Sequence, residues 1–200
     1  LSWRGVMPVL RITRSTGSIM PAIEYMYDAL GNSISKKVKY LRQNITTFYV
    51  RDAQGNILAT YQLRNDAIDA PSLFLEDFNL FGSGRIGNLI INEKISALPN
   101  PLTNTIFERK IGNKQFEMAN HLDNVLSTVG DRKIAHSADN ITIDYYTADI
   151  TGSVDYYPFG QIMPGRNFKS GNCKFGYQSS LKDNELNGSQ DFYNTFYREL

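Results

Sequence analysis

The stretch Thr47-Phe48-Tyr49-Val50-Arg51-Asp52-Ala53-Gln54-Gly55-Asn56-Ile57-Leu58-Ala59-Thr60-Tyr61 consists of two β-branched and aromatic runs separated by Asp-x-x-Gly-Asn. Such runs suit pleated strands. The residues between them suit a turn. Asp at a turn entrance accepts a hydrogen bond from a backbone N–H two residues on, and Gly at the exit supplies the φ > 0 conformation that closes a short loop. The pattern predicts one antiparallel hairpin over residues 46 to 61.

Working outward, Tyr27-Asp28-Ala29-Leu30-Gly31-Asn32-Ser33-Ile34 repeats the motif 24 positions earlier, with Asp28 and Gly31 where Asp52 and Gly55 stand. A third, more decayed copy runs Asn120-His121-Leu122-Asp123-Asn124-Val125. There Asn120 takes the entrance and Asp123 the Gly position, a tolerable exchange because Asp and Asn are the next-best residues at positive φ. The six turn residues Asp28, Gly31, Asp52, Gly55, Asn120 and Asp123 are therefore expected to set the register of the strands around them. Further strands are predicted at Ile23 to Tyr27, Ser33 to Tyr40, Asn88 to Ile95, Gln115 to Ala119, Asn124 to Val129, Thr142 to Tyr146 and Phe175 to Gln178. No sustained i, i+3, i+4, i+7 stripe occurs, although Ala67 to Leu75 and Asn184 to Tyr197 have room for a helical turn or two. Breaks at Leu98-Pro99-Asn100-Pro101 and across Pro158 to Gly165 place segment ends near 64, 100, 131 and 165. The expected fold is mainly β, antiparallel hairpin repeats with little helix, read as one domain over 1–200.

Composition narrows the function. The chain has 200 residues, enough to bury roughly 70% of its unfolded surface. Its 42% hydrophobic and 20% charged fractions are those of a folded chain. With 21 Lys plus Arg against 20 Asp plus Glu, no global field draws in nucleic acid, and no apolar run suits a membrane span. The lone Cys173 rules out an internal disulfide and a thiolate metal cage. Neither metal nor organic cofactor is expected. The opening stretch carries Arg4, Arg11 and Arg14 without an apolar h-region, so any export signal would lie upstream of Leu1.

The chain resembles the Rhs/YD-repeat proteins, specifically the Rhs repeat-associated core region in its Bacteroidetes-type form. Five blocks carry the likeness in order. YDALGN with FYVRDAQGNILATY (hairpins of about residues 20–64) looks like YD repeats. LFGSGRIG (80–87) is similar to the family's Tyr-Gly-Ser-Ser-Arg-Leu-Gly block. FEMANHLDNVLSTVGDRK (116–133, with a hairpin of about 115–130) is similar to its Asn-His-Leu-Gly-Asn-Val-Leu stretch. DYYPFGQIMPGRNF (155–168) and FGYQSSLKDNELNGSQDFYNTFYREL (175–200) resemble the core end, about 155–200. The chain departs from the family at Asp123 for Gly and at Ser179-Ser180-Leu181, and it stops at Leu200, before the family's Asp-Pro-Arg-x-Gly-Arg-like segment.

The resemblance implies a part of a hollow, curved β-shell with a core that plugs one end. In many such proteins the core cleaves the chain after itself and a variable toxin follows. The implied role is structural, enclosing and helping to deliver a C-terminal effector from a secreted or cell-surface bacterial protein. Implied partners are neighbouring YD repeats, the effector, and an immunity or secretion partner. Alternatives are an autoproteolytic core and a surface module binding glycans or a protein.

Four constellations need weighing against plainer readings. Gly82-Ser83-Gly84-Arg85-Ile86-Gly87 spells G-x-G-x-x-G, but a dinucleotide site needs a helix after it and Leu89-Ile90-Ile91 follows instead. His121, His136 and Cys173 are the available base-and-nucleophile set, in contexts that activate none of them. Asp183 and Glu185 beside Lys182, with Asp191, offer paired carboxylates of the kind general acid–base cleavage uses, and charged loops of this kind are far more often solvated turns. Tyr145, Tyr146, Tyr156, Tyr157, Phe159, Phe168, Phe175 and Tyr177 read either as a stacking platform or, preferably, as cross-strand packing. The sequons at Asn44, Asn140 and Asn187 arise easily in an Asn-rich chain.

Overall fold

A computed structural model describes residues 10–66, 70–95, 110–169, 174–183, 185 and 193–194. The chain is mainly β. Strands β1 (Arg11–Ile12), β2 (Ala22–Tyr27), β3 (Ser33–Lys39), β4 (Gln43–Arg51), β5 (Ile57–Asp66), β6 (Ser72–Phe81), β7 (Arg85–Lys94), β8 (Lys114–Ala119), β9 (Val125–His136), β10 (Tyr145–Tyr156) and β11 (Ile162–Lys169) are hydrogen-bonded in chain order as one eleven-strand sheet. Two short strands, β12 (Leu181–Lys182) and β13 (Tyr193–Asn194), pair separately. Helix among the described residues is limited to 3-10 geometry such as Tyr177–Ser179. None of it is long and apolar enough to cross a membrane.

The chain divides into two compact units, each with its own interior. The first comprises Leu1–Asp77, Asn92–Asn100 and Glu185–Gly188; the second comprises Phe78–Ile91, Pro101–Asn184 and Ser189–Leu200. In the first, Ile23, Tyr25, Val38 and Ala59 are buried together with Lys36, Thr47 and Thr60. In the second, Val125 and Phe175 are buried with Asn88, Gln115, Thr128 and Thr151. Alternation along the strands places polar side chains inward and leaves Phe48 and Val50 in one unit, and Phe116, Met118 and Phe168 in the other, exposed.

Several expected boundaries move. Residues 72–75, given above to a possible helical turn, lie in β6, and Tyr193–Asn194 form a strand, because extended backbone here finds a ladder partner that a short isolated helix would lack. The hairpin at 125–129 continues as a 12-residue strand to His136, through the break placed near 131. Its partner β10 begins at Tyr145 rather than Thr142, since Asp139 folds residues 137–142 into a loop by accepting from the Ile141 and Thr142 amides at 2.9 and 2.8 Å. Those bonds, Thr142's first, hold the Asp139 carboxyl well below its ordinary range. β11 runs through Pro164 and Gly165 along the last strand of the sheet, where a missing N–H breaks no ladder. Phe175 to Gln178 is not a strand: Phe175 bridges Leu181, and the residues between them turn.

Candidate functional site: a cluster of repeat turns

The two strong motif copies close identically. At the first, the Asp28 N–H donates to the Asn32 carbonyl and the Gly31 N–H to the Asp28 carbonyl; at the second, Asp52 and Asn56, then Gly55 and Asp52, do the same. Asp28 Oδ1 accepts from the Leu30 and Asn32 amides at 2.9 and 2.8 Å, while its Oδ2 takes the Asn32 side-chain amide at 2.9 Å. Asp52 repeats all three bonds with Gln54 and Asn56. These bonds, the side-chain amide's first, depress both carboxyls below the ordinary 3.8. Gly31 at φ 87° and Gly55 at φ 89° complete a three-residue loop of type I turn plus bulge.

The same backbone pattern recurs at Asn120–Asn124, Tyr157–Gln161 and Gly176–Ser180. In all five the residue before the turn pairs with the residue after it: Tyr27 with Ser33, Arg51 with Ile57, Ala119 with Val125, Tyr156 with Ile162 and Phe175 with Leu181. Sequence reasoning found three of these. Pro158 followed by Gly160 at φ 88° was a legible signal for the fourth, read above only as a break. The fifth carries Ser179 at φ 53° where Gly would serve, so nothing local announces it.

The last three turns converge within the second unit. The Val125 N–H donates to the Gly176 carbonyl at 3.1 Å, and the Gln178 N–H donates to Asn124 Oδ1 at 2.9 Å. Ser179 Oγ donates to the Asp123 carbonyl at 3.1 Å, and the Tyr177 hydroxyl donates to the Pro158 carbonyl at 2.7 Å. The Tyr177 ring lies against Gly160, where a Cβ would come within 2.8 Å of it, and meets Tyr156 edge-on at 5.8 Å.

Arg85 anchors the cluster. Its Nε and Nη2 donate to Glu117 Oε2 at 3.0 and 2.9 Å, its Nη1 donates to the Ser179 carbonyl at 3.2 Å, and its guanidinium sits 3.3 Å from the Phe175 ring centroid. Side-chain exposures of 11% for Arg85 and 7% for Glu117 make this a buried pair. Burial lowers the Arg85 pKa and the Glu117 charge opposes that. The glycines before Arg85 thus open a strand, not a helix, and offer no helix N-terminus to a pyrophosphate.

The other candidates are dispersed. His121 is exposed in the third turn, while His136 stacks on Tyr145 at 4.7 Å and bonds Thr147 Oγ1 at 2.9 Å; Cys173 and Asp191 lie outside the described residues. The solvated-turn reading fails for Asp183, only 4% exposed; Glu185, in the first unit, lies in a turn with its side chain 32% exposed and pairs with Lys36 at 2.9 Å. Packing accounts for Phe175, Tyr156 and Tyr177. It does not account for Phe159, 92% exposed in the fourth turn, or Tyr145 and Tyr146 at 58% and 56%, where both faces of the first residues of β10 are exposed. Beside the cluster lies a cavity of about 240 Å³ lined by Val125, Val154, Ile162, Phe168, Phe175 and Lys182. Among the described residues, no three His, Cys, Asp or Glu side chains gather as a metal site requires.

No protein-family model and no curated protein matches the chain.

Proposed function

We propose that the chain is a structural segment of an Rhs/YD-repeat-type protein, building part of a curved β-shell and closing one end of it around a C-terminal effector. One observation carries this reading. Four of the five sequence blocks that resemble the family supply the cluster: Arg85 from the second, Asn124 from the third, Gly160 from the fourth and Tyr177 from the fifth. Residues scattered over some ninety positions are used by one tertiary device whose contacts are bonds between turns, as an end closure needs. The exposed apolar side chains of the sheet also support a segment that packs against further protein. Neighbouring repeats, a secreted or cell-surface location, and an immunity or secretion partner belong to the same proposal.

The test uses the full-length gene product under limited proteolysis. Protection of residues beyond 200 until the shell is unfolded is the expected result; cleavage there as fast as in the isolated tail contradicts enclosure. A self-cleaving core is the second reading, favoured by the burial of Asp183. In the full-length protein Asp183→Asn then abolishes the second band on a denaturing gel, and undiminished cleavage removes the carboxylate from that role. For the surface-binding alternative, the favouring observation is an open cleft of about 350 Å³ lined by Tyr156, Tyr157 and Tyr177. A glycan array without hits counts against it.

A further inference from the structure

The third turn differs from the first two at its entrance, Asn120 for Asp28 and Asp52, and the difference has a chemical consequence. In the first two turns the entrance carboxylate has two acceptor oxygens: Oδ1 takes the backbone amides, and Oδ2 takes the side-chain amide of Asn32 or Asn56. Each of those asparagines is thereby bound to its own turn. Asn120 keeps the first function, with Oδ1 accepting from the Leu122 and Asn124 amides at 2.9 and 3.1 Å. Its second terminal atom is an NH₂ group, which has no lone pair to offer another N–H. Asn124, buried at 6% exposure, is released from its own turn, and its Oδ1 accepts the Gln178 backbone N–H at 2.9 Å. Asp123, in the Gly position, presents its carbonyl to Ser179 Oγ at 3.1 Å.

We propose that Asn120 is the specificity-determining residue of a peptide-docking site. It converts a self-capping repeat turn into a receptor, and the ligand is a tight Gly-Tyr-x-Ser turn with an unpaired N–H at x, which this chain supplies as Gly176–Ser179. The receptor's other walls define that ligand. Gly160 admits the tyrosine ring and the Pro158 carbonyl takes its hydroxyl; Arg85 takes the serine carbonyl, and the Val125 N–H takes the glycine carbonyl. The third copy is thus specialised rather than decayed. This deepens the end-closure reading and rests on it for its biological purpose, but the docking itself is read without any shell.

The experiment is amide hydrogen exchange on the full chain carrying Asn120→Asp. Asp is the entrance residue of two turns in this same sheet, so the hairpin of β8 and β9 is expected to fold with its Leu122 and Asn124 amides still protected. The new Oδ2 captures the Asn124 side chain, and exchange at Gln178 accelerates at least tenfold. Asn124→Ala exposes Gln178 equally, and adding Asn120→Asp to it brings no further acceleration, because both changes act through one oxygen. Unchanged protection at Gln178 in Asn120→Asp, or additive effects in the double variant, overturns the proposal. Failure here leaves enclosure by the full-length protein untouched, so the two claims fall separately.

Discussion

At Gly160 and Gly31 the same φ near 88° serves different ends. An added Cβ at Gly31 meets nothing within 4 Å, so the cost of Gly31→Val is backbone strain alone, about 1 kcal/mol or more by chemical denaturation. At Gly160 the Cβ also strikes the Tyr177 ring at 2.8 Å. Gly160→Ala is therefore expected to cost more than Gly31→Ala, and Tyr177→Ala to absorb the excess in a double-mutant cycle; equal costs in both backgrounds would show that the ring does not press on the glycine. The entrance carboxylates carry a pH signature. Asp28 and Asp52 have folded pKa values below their ordinary 3.8, so each contributes stability that is full above that value and lost as pH falls through the folded pKa. Acid titration of stability below about pH 4 is expected to be flatter in Asp28→Asn and Asp52→Asn than in the parent. Entrance and exit residues were legible because their roles are local. Arg85 was read only as part of a glycine-rich stretch and Tyr177 only as an aromatic contact, since each acts on a turn roughly 20 to 95 positions away.

Among elements, hairpins announced by Asp-x-x-Gly-Asn were readable in type and closely in extent: the one expected over 46–61 is the meeting of β4 and β5. β6 was hidden because Ser72-Leu73-Phe74-Leu75-Glu76-Asp77 shows neither strict alternation nor a turn signal, and a ladder partner decides it. The long β9–β10 pair was shortened in the reading because its alternation is interrupted: the register shifts twice, between Ala148 and Ile150 and between Ile150 and Gly152. The fifth turn is held by tertiary bonds to β7, to the third turn with Val125 of β9, and to the fourth turn, and Glu117, which fixes Arg85 of β7, tests the first of these. Glu117→Gln leaves a buried guanidinium without its counter-charge and is expected to cost about 3 kcal/mol, as buried pairs broken on one side do. Arg132→Ala removes a partner of Asp149 whose own side chain is 61% exposed, and is expected to cost under about 1 kcal/mol. Similar losses in both would mean the Arg85 pair carries no special role.

For the molecule as a whole, one turn hydrogen-bond pattern is used five times, and four of those turns join successive strands of the eleven-strand sheet. Three uses set neighbouring strands side by side within the sheet, at 28–32, 52–56 and 120–124; a fourth, at 157–161, also receives the Tyr177 ring, and the fifth carries the docked segment. Mainly β architecture was available from composition and turn chemistry. The convergence of four distant blocks was not, because no local pattern encodes which turn meets which. That convergence is what supports the proposal that this chain closes a shell. Electron cryomicroscopy of the full-length gene product tests the assignment most directly. The account predicts a hollow β-shell with β2 to β11 in its wall and the Lys174–Asp183 segment at a closed end. A solid particle with no enclosed volume, or a shell whose ends are both built without this segment, would contradict it.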